Sequence, residues 1–336
     1  MKKFIKNIAI FLLPSILFVV VLLIIPLNKE FAFHFIKGNC YNHGEWLYQR
    51  IFENQAPVDV AFIGSSRTLH AVNDKALGKT LSGKTGSDLN VVNFGFCQQG
   101  RNFQYAVLKD LLKHKHPKLV IIEITEDERR STHQSYPYIA DARDIVFSPC
   151  LNSYYWTDLV KAIAVRWEQL KFNLFFKTDL NSKNASLYGY SSIDRVVTND
   201  ELKQNREYWN KRILRDHKSF WGKFLDSYPK YFLEKTIDLL NEDSVEFCFL
   251  FIPTANVDIE NSLFDSYYQQ FGKCYYLKPS KYSDQSLWLD ASHFNDEGSL
   301  KVIDELSEFV MDELCLKPLT QTLPSDDNSG LQSEPK

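Results

Sequence analysis

The chain has 336 residues, of which 44% are hydrophobic and 24% charged, enough apolar material for a sizeable core in one large domain or two small ones. A formal net charge of -3 with scattered basic residues excludes general nucleic-acid binding. The six cysteines, Cys40, Cys97, Cys150, Cys248, Cys274 and Cys315, form no CxxC pair, which excludes zinc-finger and thioredoxin-type sites.

In chain order, the first predicted element is an almost unbroken apolar run from Ile8 to Pro26, interrupted at Pro14 and Ser15 and long enough to cross a bilayer as a helix. Lys2, Lys3 and Lys6 precede it, so the positive-inside rule places the N-terminus in the cytoplasm and the rest of the chain outside. The run ends in Ile-Ile-Pro-Leu-Asn-Lys with no small-x-small cleavage site and reads as an uncleaved signal anchor over residues 1–29; a cleaved signal peptide is the alternative. Residues 30–56 read as a juxtamembrane connector with a helical patch from Glu45 to Phe52.

From residue 57 to 318 the pattern becomes that of one α/β domain. Val58–Ile63, Asn90–Phe94, Leu119–Ile124 and Val245–Ile252 are strand-like runs, and helical patterns at Phe103–His114 and Lys230–Asn241 separate them. Apolar strands alternating with helices imply a mostly parallel sheet in a layered α/β fold. Cys97 and Cys248 lie in such apolar surroundings and read as buried free thiols as readily as disulfide partners. Between Arg130 and Pro229 the strand signal fades and aromatic residues accumulate, including Tyr136, Tyr138, Tyr154, Trp156, Trp167 and Phe176. This stretch, about 131–229, is expected to be a mainly helical insertion with a loop near Thr178–Ser192. It either adds a packing layer or forms an aromatic wall for a sugar, with Tyr136 and Tyr138 as candidate contacts. The tail, residues 319–336, is polar and expected to be disordered.

Two motifs carry chemistry. Gly64-Ser65-Ser66-Arg67 follows the first strand, where a tight turn exposes a hydroxyl at the carboxyl end of a sheet. Asp290-Ala-Ser-His293, continuing to Asn295 and Gly298, puts a carboxylate and an imidazole close enough for the acid to orient the base ahead of a helix over Glu297–Leu314. Ser66 is the favoured nucleophile and Ser65 the alternative. His70, His114, His116 and His133 show no metal-ligand spacing and are expected on the surface or in the insertion; no metal or cofactor is called for. The charged run Glu126–Arg130 reads as a solvated helix start.

These motifs resemble the SGNH/GDSL hydrolase superfamily, with Ser65 where that family often has Asp, and with Asp290-x-x-His293 standing as its last block. The resemblance implies a three-layer α/β/α, flavodoxin-like fold with Ser66 as nucleophile, His293 as base and Asp290 as orienting acid. It implies an oxyanion hole built from the Ser66 amide together with the loop after the second strand, where Gly100 and Gln98 are the candidates. The family's third block normally ends in Gly-x-Asn-Asp, whereas this chain reads Ile122-Glu-Ile-Thr125-Glu126-Asp127, so either fewer donors hold the oxyanion or a group such as Arg67 or Asn102 supplies the contact. Within the superfamily the Gly-Ser-Ser turn beside an anchor is similar to D-alanyl-transfer and polysaccharide O-acetylation proteins. The implied function is a membrane-anchored, extracytoplasmic serine esterase or O-acyltransferase acting on cell-envelope glycan, with a membrane acyl-donor protein as partner. A non-catalytic glycan-binding or scaffold protein and a lipid or thioester hydrolase are the alternatives.

Overall fold

The structure, a computed structural model, describes residues 1–148, 152–175, 186–213, 217–255 and 259–317. Cys150, Phe176, the first part of the Thr178–Ser192 loop and the tail from residue 318 lie outside the described residues. Helices α1 (Lys2–Ile24), α2 (Lys29–Phe35) and α3 (Asn39–Tyr48) precede strand β1 (Val60–Ile63). Then follow α4 (Ser66–Ala71), α5 (Asp74–Thr85), β2 (Val91–Asn93), α6 (Arg101–His114) and β3 (Leu119–Ile124). Between β3 and β4 (Glu246–Phe251) lie α7 (Tyr136–Ile139), α8 (Ala142–Val146), α9 (Tyr155–Phe175), α10 (Asn199–Ile213) and α11 (Phe220–Glu242). The chain continues through α12 (Asp265–Tyr268), β5 (Cys274–Tyr276) and α13 (Asp296–Glu313).

The five strands form one wholly parallel sheet in the order β2-β1-β3-β4-β5, with Val60 opposite both Val91 and Leu119. Alternate residues of each strand face opposite sides, which explains why both faces are apolar. Ala61, Ile63, Val120, Ile122, Phe249 and Phe251 pack beneath α6 and α11. Val60, Phe62, Leu119, Ile121, Cys248 and Leu250 pack against α5 and α13 through Leu77, Leu81, Val302, Leu306 and Val310. The chain leaves β1 for one edge of the sheet and returns to add β3 on the other side, so the strand order reverses between β1 and β3. A crevice opens at the carboxyl ends of strands at such a reversal.

Several expectations require correction. Residues 30–56 are not a connector: Phe31, Phe33, Ile36, Trp46, Leu47 and Ile51 are buried in the same core as the sheet. Cys97 is not a free thiol but is bonded to Cys40, whereas Cys248 is free and buried. The last helix before β4 starts at Phe220, ten residues earlier than its periodicity suggests, because Ser219 caps it by accepting from the Gly222 amide at 3.0 Å; Pro229 is accommodated inside. Strand β5, with only three residues, is too short to show a period. Among the described helices, α1 is the one long and apolar enough to cross a membrane, and the rest of the described chain forms a large extramembranous body.

Candidate active site

Ser66 opens α4 directly beyond β1, with Ser65 as the N-cap whose hydroxyl accepts from the Arg67 amide at 3.2 Å. The turn is held from below by Glu123, a carboxylate on β3 that is only 2% exposed. Glu123 accepts from the Ser65 amide at 2.7 Å, the Ser65 hydroxyl at 2.7 Å, the Thr68 amide at 3.2 Å and the Thr68 hydroxyl. A buried carboxylate needs this many donors to offset its lost hydration. The Glu123 and Thr68 side chains occupy the space a Cβ on residue 64 would need, which is why glycine stands there. Gly95, after β2, is required for a similar reason: a side chain would overlap the Leu69 backbone, and its absence lets the loop lie against α4. Asn93 completes the support by donating to the carbonyls of Thr68 at 2.8 Å and Val72 at 2.7 Å.

From the other side of the crevice, the segment before α13 brings His293 to the same point. Its Nε2 lies 2.7 Å from Ser66 Oγ, and its Nδ1 lies 2.8 Å from each Asp290 oxygen. An ionised carboxylate only accepts, so Nδ1 carries the proton and Nε2 faces the hydroxyl as an acceptor. Burial alone would raise the Asp290 carboxyl. The His293 hydrogen bond, the electrostatic pull of its ring and the amides of Ser292 and His293 outweigh it and hold the acid down to about 2. Asn295 caps α13 by accepting from the Gly298 amide at 2.9 Å, which fixes where this segment ends.

His70, one turn beyond Ser66, is buried and packs edge-on against His293 at 5.4 Å between ring centroids. Its Nδ1 lies 2.8 Å from the Ser191 carbonyl, and burial, followed by the nearby His293, lowers its pKa. His70, which lies outside the insertion, is therefore not on the surface as expected, whereas His133 lies within the insertion and is 1% exposed. His133 Nε2 donates to the Cys97 carbonyl at 2.8 Å and Nδ1 accepts from the Ser135 amide at 3.1 Å.

Ser66 and His293 open onto a cavity of about 740 Å³, lined also by Arg67, Gln98, Arg129, Ser131, Asn205 and Tyr208 among others. Of the loop residues expected to serve an oxyanion, Gln98 is in this lining and Gly100 and Asn102 are not. The Gln98 backbone adopts φ 67, and its side-chain carbonyl accepts from Arg129 at 3.0 Å. Gly100 caps α6 against His133, and the Asn102 amide donates to Thr132 at 2.6 Å and Tyr228 at 3.3 Å, deep in the protein.

Arg67 reaches the cavity, but its guanidinium is bound at 2.6 Å to buried Glu126. Glu126–Arg130 is accordingly not a solvated helix start. Glu126 holds Arg67, Glu128 holds Arg101, and Arg130 binds Asp226 at 2.6 Å. The charges are neutralised across the crevice by residues distant in sequence, which no local pattern reveals. Tyr136 and Tyr138 do not meet the site: Tyr136 is core, with its hydroxyl on the Asp144 carbonyl at 3.2 Å, and Tyr138 stacks on Phe35 at 6.0 Å. Asn205 and Tyr208 of α10, which sequence reasoning passed over, supply part of the wall. Glu123 was also passed over, although one carboxylate inside Leu-Val-Ile-Ile-Glu-Ile is a signal that a buried strand binds something polar. Among the described residues no cluster of metal-ligating side chains occurs. No protein-family model matches the chain, and no curated protein matches it.

Proposed function

We propose that the protein is a membrane-anchored serine esterase or O-acyltransferase of SGNH type, its domain a three-layer, flavodoxin-like α/β/α fold. The observation that carries this reading is the contact chain Ser66–His293–Asp290 at the mouth of a cavity. In the proposed reaction Ser66 Oγ attacks an ester carbonyl as its proton passes to His293 Nε2. The imidazolium, stabilised by Asp290, then returns that proton to the departing alkoxide. Water or an acceptor hydroxyl, deprotonated by the same nitrogen, releases the acyl group from Ser66. The Ser66 amide, in the first turn of α4 where amides lack helical partners, and the Gln98 carboxamide are the proposed oxyanion donors.

A polar lining of serines, arginines, Gln98, Gln99 and Asn205 favours a small acyl group on a hydroxylated carrier such as an envelope glycan, with acetyl as the group transferred. It disfavours a long-chain lipid or thioester substrate. The Cys40–Cys97 disulfide and the lysines in the first turns of α1 favour an extracytoplasmic domain. The absence of a third-block Asn favours the second reading, a non-catalytic glycan-binding or scaffold protein.

Treating the full chain with a serine-reactive phosphonate separates these readings. Labelling at Ser66, abolished in Ser66→Ala, together with release of acetate from acetylated oligosaccharide, is the expected result. Equal labelling of both proteins, or none of either, sinks the catalytic reading.

A further inference from the structure

Helix α9 is amphipathic in the reverse sense to that selected by water. Its inward face carries Asp158, Arg166 and Gln169, all 3% exposed or less, together with Ala162 and Val165. These polar groups are bonded inside: Asn152 donates to Asp158 at 2.9 Å, and Arg166 donates to the Ala162 carbonyl at 3.0 Å and the Ala140 carbonyl at 3.3 Å. Its outward face, at helical spacing, reads Trp156, Val160, Ile163, Trp167, Leu170 and Leu174, without one charge. Trp156 is 74% exposed, Val160 64%, Trp167 41% and Leu174 66%.

This face continues the apolar surface of α1. Trp167 packs edge-on against Phe18 of α1 at 5.6 Å, and Phe172 packs against Phe31 of α2 at 5.2 Å. Gln169 donates to the Pro26 carbonyl at 3.0 Å and accepts from the Asn28 amide at 2.8 Å, clamping α9 to the point where α1 ends. The charges along α9 keep it out of the class of helices that span a membrane.

We infer that α9 is an interfacial helix: its Trp156–Leu174 face lies in the lipid of the membrane that α1 enters, giving the domain a second membrane contact. A water-facing role would leave two tryptophans, a valine and a leucine hydrated on one stripe, whereas burial in the headgroup and acyl boundary removes them from water. Tryptophan is also the side chain best suited to that boundary. The inference stands independently of the chemistry at Ser66.

The test uses the full chain in vesicles of phosphatidylcholine and phosphatidylglycerol whose acyl chains carry bromine, a short-range quencher of tryptophan. Trp156 is the informative residue because it lies far along α9 from the Phe18 contact, and Trp156→Phe is a mild surface change. Subtracting the spectrum of the variant isolates Trp156. That component is expected to fall at least about twofold on bromination and to resist aqueous iodide. A component quenched by iodide and untouched by bromine overturns the inference. So does one shielded from both quenchers in a protein that is dimeric in the vesicles, which would assign the face to a second copy.

Discussion

Glu123 receives both the backbone amide and the side-chain hydroxyl of Ser65, each at 2.7 Å, so the residue before Ser66 is gripped twice by one carboxylate of the neighbouring strand. The position of Ser66 Oγ relative to His293 is thus set from β3, across the strand reversal. Glu123→Ala leaves the Ser65 and Thr68 donors buried without an acceptor and is expected to cost about 3 kcal/mol. That corresponds to a fall in melting temperature of roughly 6–12 °C for a domain of this size. Glu123→Gln keeps the shape but turns a donating amide toward donors, and should retain more stability while still slowing phosphonate labelling of Ser66. Calorimetry and labelling rates together check this. Wild-type labelling in the alanine variant would show that the grip is dispensable.

Asp290→Asn should leave the fold intact and the imidazole near Ser66, but an amide can donate to Nδ1 and so favours the wrong tautomer. On the proposed mechanism, esterase turnover is expected to drop by about 10³–10⁴ with little change in KM. Steady-state kinetics on a nitrophenyl acetate read the effect. A loss below tenfold would remove Asp290 from the proposed mechanism.

His133 supplies a pH dependence unconnected with turnover. Burial, opposed by the Cys97 carbonyl and aided by Arg129, lowers its pKa from 6.5 to about 4, and its Nδ1 is occupied as an acceptor by the Ser135 amide. The folded value lies below the unfolded one, so the stabilisation is complete above about pH 6.5 and is lost as pH falls through about 4. The contribution amounts to about 3 kcal/mol. Urea unfolding across that window should show a steep decline in wild type and a shallower one in His133→Gln. Parallel slopes in the two proteins would assign the decline to other groups.

The Cys40–Cys97 bond closes a span of 57 residues and joins the segment after α2 to the loop that carries Gln98. In the chain-entropy description a loop of that length contributes about 4 kcal/mol. Cys40→Ser with Cys97→Ser should lower the melting temperature by roughly 8–16 °C. The double variant should also weaken the proposed acyl transfer, because Gln98 loses its fixed neighbour. Unaltered thermal stability after full reduction of the wild type would contradict this account.

Legibility in the sequence followed the range of the interactions. β1 is wholly apolar, and β3 and β4 are apolar but for Glu123 and Glu246, so composition reveals them, and Ser66, Asp290 and His293 belong to short strings with local grammar. What stayed hidden depends on partners far along the chain. Arg67 looks like a free cation until Glu126 is brought beside it, and Tyr136 looks like a sugar contact until it is packed into the core. Residues 30–56 resembled a linker because their apolar residues match a surface supplied by β2, α6 and α7, which periodicity within the segment cannot show.

The way α2 and α3 are sunk into the core has a mechanical meaning. A domain on a flexible leash sweeps a hemisphere and meets substrates at any altitude. Here only residues 25–28 separate α1 from α2, and Gln169 grips that short passage from both sides. The support is a bracket, and with α1 in the membrane it would hold the cavity at one height and one attitude above the bilayer. Under the proposed function, an ester reaches Ser66 only when its own carrier delivers it to that height, so the span between a substrate's anchorage and its reactive group becomes a criterion of selection, set before any contact is made inside the pocket.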